Sequence, residues 1–336
     1  MVVRRAFLCL VVLLAIATAT AVAQESLGDL VAQGGYDWLI GKWVATTDEG
    51  DQLTYEQKWA LDRHVILVDF KMRNFQSAGM IIFVPSREEV IQVGADNQGG
   101  TWKGTWRDEY GSAVHAMEHT RADGQVQKAE IVHTRVDAET MKAAMYGLSG
   151  DGYRVSEPWH TLTYKRQKAG SAGSASAGQD SGGASQGSLG DMLSQYGYEW
   201  ILGQWQGTDD QGRTAQVTYG LTLDKHAGLV SVQMGPFAYR GLVMFVPARE
   251  EVIQIGADNM GGYWKGTWSE DYEGLVNRHE RMQVDGSTEK MEHVYVKIDG
   301  GTIKIKQYAV EAGGSRASTP RAELTVSRAA GGATPK

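Results

Sequence analysis

The segment VPSREEVIQVGADNQGGTWKGTW, Val84–Trp106, decides the fold because the chain contains it twice. It returns as VPAREEVIQIGADNMGGYWKGTW at Val246–Trp268, with four substitutions. The offset of 162 positions (246 − 84) holds through the rest of both copies without insertion or deletion, so that Trp38 aligns with Trp200. This period lies far above the roughly 20–50 residues of solenoid units. The chain is therefore predicted to contain two tandem copies of one domain, each of about 140 residues and able to bury its own core.

Within each copy, short runs of β-branched and aromatic residues follow a predicted helix that opens at Ser26 or Ser188. Turn sequences rich in Asp, Gly and Pro separate the runs, as in antiparallel strands joined by tight turns. About ten such strands predict an all-β, up-and-down barrel, because closure leaves no exposed edge. A two-sheet sandwich is the alternative. The runs of the first copy are Lys42–Thr47, Leu53–Ala60, His64–Phe70, Gly79–Val84, Val90–Ala95, Thr101–Trp106, Ala113–Thr120, Val126–Arg135, Thr140–Tyr146 and Trp159–Lys165.

The predicted domains are a first barrel over residues 24–167 and a second barrel over residues 188–328. The stretch between them, residues 168–187, is rich in Gly, Ser and Ala, a composition typical of a flexible linker. Residues 329–336 have a similar composition and are predicted to form a disordered tail.

Residues 1–23 are predicted to form a signal peptide. A basic Arg4-Arg5 start and an apolar run to Ile16 are followed by small residues that end at Ala23, where cleavage is expected. A membrane anchor would need about 20 strongly apolar residues, and this run becomes rich in Ala and Thr too early. The arginine pair also resembles a twin-arginine signal, so the export route stays open. Cleavage would remove Cys9, the single cysteine, and would leave a periplasmic or secreted protein without disulfides.

The composition is that of an ordinary soluble globular chain, with a net charge of −7 and 42% apolar residues. Lysine and arginine are scattered and form no basic tract. The sequence therefore argues against nucleic acid and anionic membrane surfaces as partners. It leaves a small molecule or another protein as the expected partner.

A Gly-x-Trp motif that ends at Trp43 or Trp205 opens the first strand of each copy, and Arg166 or Arg328 ends the last strand. First and last strands are neighbours in a closed barrel, so each guanidinium can stack on its tryptophan, worth roughly 0.5–2 kcal/mol. The pattern resembles the calycin superfamily of lipocalin-like barrels, and more narrowly exported bacterial lipocalin-like proteins of unknown function. The resemblance spans both copies. It implies that these four residues close a barrel floor and carry no ligand information.

Alternation along the strands predicts a ligand cavity. Trp102 and Trp106 share one face of their strand, and Gln92 lies on the neighbouring strand. Aromatic side chains beside an amide suit a mostly apolar cavity with a few orienting polar groups, and they suit a filled core equally well. The candidate cavity residues, with their counterparts in the second copy, are Gln92, Trp102, His64, Glu118, Gln254, Trp264, His226 and Glu280.

The histidines suggest two further hypotheses. His64 and His226 each follow an aspartate by two positions, which suits either an acid–base pair or a turn with a hydrogen-bonded histidine. His160, on the last predicted strand, resembles the haem ligand of nitrobindin-type barrels in its location, and Ala322 replaces it in the second copy. Haem is therefore the one cofactor hypothesis. No helical ligand spacing of a metalloenzyme occurs, so no metal site is predicted.

Shared carboxylates are the remaining catalytic signal. Glu118 and Glu130, with Glu280 and Glu292 in the second copy, are predicted on adjacent strands, but lysines shared nearby make charge pairs on the barrel exterior a sufficient explanation. The sequence contains no nucleophile elbow, phosphate loop or dinucleotide fingerprint. It therefore predicts no enzyme.

The leading hypothesis is an exported, non-catalytic protein that binds a small apolar or amphipathic molecule inside its barrels. The alternative is a structural or partner-binding module of the cell envelope with filled barrels.

Overall fold

The structure, a computed structural model, describes residues 26–167, 187–209 and 212–329. The predicted signal peptide, nearly all of the predicted linker and most of the predicted tail lie outside the described residues. Within the described ranges, no helix is both long enough and apolar enough to cross a membrane.

Ten antiparallel strands close into the first barrel, in the order β1-β10-β9-β8-β7-β6-β5-β4-β3-β2. Closure comes from pairing of the first strand with the last, in a register that sets Trp43 opposite Arg166. The strands are β1 (Gly41–Thr46), β2 (Gln52–Ala60), β3 (Val65–Met72), β4 (Phe75–Val84), β5 (Glu89–Asp96), β6 (Thr101–Glu109), β7 (Ser112–Thr120), β8 (Val126–Arg135), β9 (Thr140–Gly147) and β10 (His160–Arg166).

The second barrel has the same topology, with its last strand paired to its first so that Trp205 lies opposite Arg328. Its strands are β11 (Gly203–Asp209), β12 (Thr214–Thr222), β13 (Ala227–Met234), β14 (Phe237–Val246), β15 (Glu251–Asp258), β16 (Tyr263–Glu270), β17 (Leu275–Met282), β18 (Thr288–Lys297), β19 (Thr302–Ala309) and β20 (Ala322–Arg328). The prediction of two tandem all-β barrels is confirmed, and the sandwich alternative is wrong.

One end of each barrel, the floor, is covered by the helix that precedes it: α1 (Leu27–Gln33) in the first barrel and α2 (Leu189–Gln195) in the second. A reciprocal capping box starts each helix; in α1 the backbone N–H of Asp29 donates to Ser26 Oγ at 3.1 Å. The opposite end, the mouth, consists of the turns that join β1 to β2, β3 to β4 and so on around each barrel.

The floor is locked by the tryptophan–arginine pair. The Arg166 guanidinium carbon lies 4.2 Å from the centre of the Trp43 ring, and its two terminal nitrogens donate to the carbonyls of Ile40 and Trp38 at 2.8 and 2.7 Å. Gly41 has φ +131°, and a Cβ there would clash with Arg166, so only glycine fits. The second barrel repeats this arrangement, with Arg328 4.4 Å from the Trp205 ring.

The two barrels pack directly against each other through the outward faces of β3–β5 and β13–β16. Side chains that an isolated barrel would expose to water form one buried apolar cluster, the inter-barrel contact. Its fully buried members are Val65, Met80, Ile82, Val84, Ile91, Val93, Ala95, Leu223, Ala227, Leu242, Met244, Ala257 and Tyr263. Strand β5 of the repeated segment is therefore buried on both faces, because its inward side chains lie in the barrel and its outward ones face the other barrel.

A left-handed turn completes the inter-barrel contact from each side. Leu61, Asp62 and Arg63 all have positive φ, between 51° and 69°, and residues 223–225 repeat this with values of 51° to 72°. Three such residues in succession are costly for non-glycine side chains, so the surroundings must hold them in place. Asn97 supplies one such contact across the two barrels, since its Nδ2 donates to Asp224 Oδ2 at 2.9 Å.

Candidate functional site

The same hydrogen bond organises the interior of both barrels. Trp106 Nε1 donates to Gln92 Oε1 at 2.8 Å, and Trp268 Nε1 donates to Gln254 Oε1 at 3.0 Å. Strand alternation turns these side chains inward, and the indole satisfies an amide oxygen that would otherwise be buried unpaired. Each barrel thus presents an oriented amide halfway along its interior.

Beyond this shared bond, the two interiors diverge around a pair of facing glycines. In the first barrel the Trp102 ring lies over Gly79 and Gly94, where any Cβ would clash with it. In the second barrel Tyr239 covers the corresponding glycines, and Trp264 lies beside it with ring centres 5.4 Å apart. The difference follows from one position, because Ser77 stands where the second barrel has Tyr239.

A cavity of about 380 Å³ opens in the mouth half of the second barrel. Its walls are mostly apolar and aromatic, with a few polar groups that converge on its deep end. The side chains that matter most are Val217, Tyr239, Trp264, Tyr295, Gln254, Asn277, His279 and His293. At three wall positions the first barrel carries the larger Leu53, Tyr55 and Phe70 in place of Ala215, Val217 and Val232.

The polar groups at the deep end of this cavity form a chain of hydrogen bonds. Gln254 Oε1 accepts from Trp268 and, at 3.4 Å, from Asn277 Nδ2, while Gln254 Nε2 donates to Tyr239 OH at 2.8 Å. Because the amide nitrogen of Asn277 is used in this way, its Oδ1 faces Nδ1 of His279 at 2.7 Å. His279 Nδ1 therefore carries the proton and donates it, which leaves a lone pair on Nε2.

Nε2 of His279 is a buried acceptor without a protein partner. The residue is 6% exposed and lines the cavity, but Nε2 itself is covered by neighbouring side chains, so a ligand reaches it when one of them shifts. Burial, together with the neighbouring His293, holds the pKa of His279 well below its usual range, and burial lowers the pKa of His293 to about 4. Both imidazoles are therefore neutral at neutral pH, and leaving such an acceptor unpaired costs about 1–3 kcal/mol.

The described charged side chains that line the cavity are paired with opposite charges. Arg281 Nε donates to the buried Asp258 at 2.8 Å, and Arg321 pairs with Glu289 at 2.7 Å. Arg213 pairs with its turn neighbour Asp209 at 2.6 Å. Among the described residues that line this cavity, each cation is thus paired with a carboxylate, and none is left free to attract an anionic ligand.

A layer of aromatic side chains separates this cavity from a second space at the floor. Tyr219 OH donates to Tyr295 OH at 2.8 Å, and the two rings lie 6.1 Å apart. Below them, apolar side chains of α2 and the barrel enclose about 580 Å³. The floor of the first barrel has a corresponding space of about 660 Å³ under α1, which reaches Gln57 and Trp106.

The first barrel buries its own histidine pair. His115 stacks on Trp106 with ring centres 4.8 Å apart, and His133 stacks on the same indole at 5.3 Å. Burial, and then the neighbouring His133, lowers the pKa of His115 to about 3, and burial lowers that of His133 to about 4. His115 Nε2, His133 Nδ1 and Gln57 Oε1 have no hydrogen-bond partner in the protein.

The predicted cavity residues fall into two groups. Gln92, Trp102, Gln254 and Trp264 line the barrel interiors, as described above. The other four lie elsewhere. Glu118 pairs with Lys103 and Lys128 on the outer surface, Glu280 pairs with Lys265 and Lys290 in the same way, and His64 and His226 lie at the inter-barrel contact.

Each of these two histidines lies against a glycine of the other barrel. A Cβ on Gly99 would lie 3.4 Å from Nδ1 of His226, and one on Gly261 would lie 3.6 Å from Nδ1 of His64. The shared Asp-x-His sequence therefore marks the left-handed turn that touches the other barrel. His160 begins β10 at the mouth of the first barrel, half-buried and 6.2 Å from the Trp159 ring.

The other shared carboxylates, Glu130 and Glu292, bind arginines on the barrel exterior. Glu130 pairs with Arg107 at 2.9 Å and with Arg154 at 2.6 Å. Glu292 pairs with Arg278 and Arg316 in the second barrel, and it is almost fully buried by them. These pairs hold the long connection before the last strand against the outside of each barrel.

Two residues of the second cavity escaped the sequence analysis: Asn277 and His279. At the fixed offset between copies, His279 corresponds to Met117, so the alignment shows no shared histidine. Both barrels nevertheless place an inward histidine pair on their seventh and eighth strands. Relative to the positions that align with His115 and His133, His279 lies two residues later in the chain and His293 lies two residues earlier. Comparison of inward-facing positions, instead of aligned ones, would have found them.

Comparisons with known proteins do not assign a family. No protein-family model matches the chain, and no curated protein matches it. Among solved structures, the chain is similar to a Nostoc punctiforme protein of unknown function that belongs to the DUF3598 family. The identity is 9% and the TM-score 0.19, over 86% of this chain and 94% of that chain. The fold described above rests on strand pairing within this chain, which is a tandem pair of closed ten-stranded barrels.

Proposed function

We propose that this protein is a non-catalytic binding protein that holds a small apolar or amphipathic molecule inside a barrel. The observation that carries the proposal is the mouth cavity of the second barrel. Its volume of about 380 Å³ lies within the range of small-molecule sites, roughly 300–1,000 Å³. Aromatic walls around Gln254, Asn277 and His279 supply the combination of apolar surface and few polar groups that such sites use.

The ionisable groups of this interior favour binding over acid–base chemistry. Burial holds the pKa of Tyr219 well above its ordinary value and raises that of Tyr295 to about 12, while His279 stays neutral. A general acid or base works best with a pKa near the operating pH. These groups keep one protonation state and act as fixed hydrogen-bond partners.

The proposal includes the calycin type of barrel and export from the cytoplasm. The stack of Arg166 on Trp43, repeated by Arg328 on Trp205, supports the first part. The basic, apolar and small-residue order of residues 1–23 supports the second part.

A second candidate function applies to the first barrel. Leu53, Tyr55 and Phe70 occupy the wall positions where the second barrel has smaller side chains. This difference favours a first barrel whose mouth half is filled and which supports the second barrel or binds a protein partner on its outer surface.

Fluorescence titration of the full chain with N-phenyl-1-naphthylamine tests the proposed function. We expect saturable binding with a Kd on the order of micromolar. Val217→Tyr, which brings the first barrel's side chain into the cavity, should abolish binding. Ile298→Tyr, in the exposed turn after β18, should leave it unchanged. Absence of saturable binding, together with native mass spectra without a co-purified small molecule, would contradict the proposal. A haem Soret band that His160→Ala removes would support the haem hypothesis instead.

A further inference from the structure

The second cavity contains a hydrogen-bond acceptor whose direction and protonation are fixed by its neighbours. Asn277 Oδ1 accepts the proton of His279 Nδ1, and Asn277 itself is held by Gln254. His279 cannot exchange tautomers without breaking this chain, so its Nε2 offers a lone pair and no proton. An acceptor of this kind pairs with an O–H or N–H group of a ligand.

The surroundings of Nε2 define the rest of such a ligand. The Trp264 ring centre lies 4.9 Å from that of His279, and Tyr239 lies 5.4 Å beyond Trp264, so a flat apolar group has aromatic surfaces to pack against. The rim charges compensate one another, as in the Arg281–Asp258 pair. A ligand with a net charge would lose hydration at this entrance without gaining an ion pair.

From these two observations we infer that the second barrel binds a small neutral hydroxyl compound, a phenol or an alcohol, whose O–H donates to Nε2 of His279. This inference rests on the proposed function and deepens it. The apolar body of the compound lies against Trp264 and Tyr239, and its hydroxyl supplies the partner that the buried imidazole lacks. The first barrel does not share this specificity, because the larger Leu53, Tyr55 and Phe70 occupy the wall positions that leave the cavity open in the second barrel.

Calorimetric titration with matched probes tests the inference. The probes are 2-naphthol, 2-methoxynaphthalene, which has no donor, and 2-naphthoate, which carries a negative charge. For the full chain we expect 2-naphthol to bind about tenfold more tightly than 2-methoxynaphthalene, the effect of about one buried hydrogen bond. We expect 2-naphthoate to bind more weakly than either.

The preference should depend on one side chain. His279→Met introduces the residue that the first barrel carries at this position, and it should reduce the tenfold preference to less than about twofold while 2-methoxynaphthalene binds as before. His279→Phe serves the same purpose if the methionine variant does not fold. His115→Asn is the matched control, because His115 is also buried with an unpaired Nε2 but lies in the first barrel. It should leave the preference unchanged.

The outcomes separate the inference from the proposed function. Equal affinity of the wild-type chain for 2-naphthol and 2-methoxynaphthalene would overturn the inference and leave a binding cavity in place. A preference that survives both His279 variants, or tighter binding of 2-naphthoate, would also overturn it. If no probe binds to the folded chain, the proposed function fails and the inference fails with it.

Discussion

The first and second barrels are alike where they touch each other and at their floors, and they differ inside. The outward side chains of the repeated segment, such as Ile91 and Val93, pack against the other barrel in the inter-barrel contact. The inward side chains of the segment are identical as well, but Tyr239 stands on β14 where β4 has Ser77, so Trp102 covers the facing glycines in one barrel and Tyr239 covers them in the other. The repeated segment therefore supplies a shared frame, and substitutions on neighbouring strands, such as Ser77 to Tyr239 and Tyr55 to Val217, make the interiors differ where binding would occur.

The largest effect is expected at the inter-barrel contact. Met244→Asp and Ile82→Asp each place an unpaired charge in this contact and should lower the free energy of unfolding by about 3–5 kcal/mol. Ile298→Asp is the matched control, since Ile298 lies in the turn after β18, outside the contact, and is 55% exposed. Urea unfolding measures all three. A small effect at Met244 and Ile82 would show that the two barrels do not depend on each other.

The floor locks should respond equally in both barrels. Arg166→Met and Arg328→Met each remove a stack on tryptophan and three hydrogen bonds to backbone carbonyls. We expect each variant to lose about 2–3 kcal/mol of stability, measured from urea unfolding monitored by tryptophan fluorescence. Clearly unequal losses would show that the tryptophan–arginine pair does not stabilise the two floors in the same way.

Acid should destabilise both interiors through their buried histidine pairs, and His133 of the first barrel is a test of this effect. The pKa of His133 in the folded chain is about 4, and that of an unfolded histidine is near 6.5. The unfolded chain therefore binds more protons as the pH falls below about 6.5, and folding loses up to about 1.4 kcal/mol for each unit of pH until about pH 4. His133→Tyr, the residue of the second barrel, should remove this contribution. An unchanged pH slope of stability between pH 6.5 and 4 would contradict a buried neutral His133.

The smallest effect is expected on the outer surface. Glu118→Gln and Glu280→Gln break half-exposed pairs with lysines and should change stability by less than about 0.5 kcal/mol. They should leave probe binding unaltered, because neither carboxylate faces a barrel interior. Loss of binding in Glu280→Gln would place the site outside the cavity.

The fold follows from the sequence because each local signal agrees with the others. Alternating β-branched strands, tight turns and the Trp43–Arg166 spacing all require closure into a barrel, and the predicted strands lie within a few residues of β1–β10. The inter-barrel contact was harder to predict from the sequence. Its sequence signal is the nearly continuous apolar run from Met80 to Val84, typical of a strand buried on both faces, but the run does not say what covers the outer face.

The candidate site was predicted in part, for a physical reason. Alternation places Gln92 and Trp102 inside the barrel, because a side chain's face depends only on its own strand. Residues shared between copies drew attention to His64, whose constraint is the left-handed turn at the inter-barrel contact. His279 was overlooked because both barrels have inward-facing histidines, but these histidines do not stand at aligned positions of the two copies.

The central claim is that the copies share a frame while the second barrel alone presents the His279 cavity. The most direct measurement is a crystal structure of the full chain grown with 2-naphthol. We predict electron density for one molecule in the mouth half of the second barrel, with its oxygen within hydrogen-bonding distance, about 2.7–3.2 Å, of His279 Nε2. Density inside the first barrel, or a second barrel whose mouth cavity contains only ordered water at saturating 2-naphthol, would contradict the account.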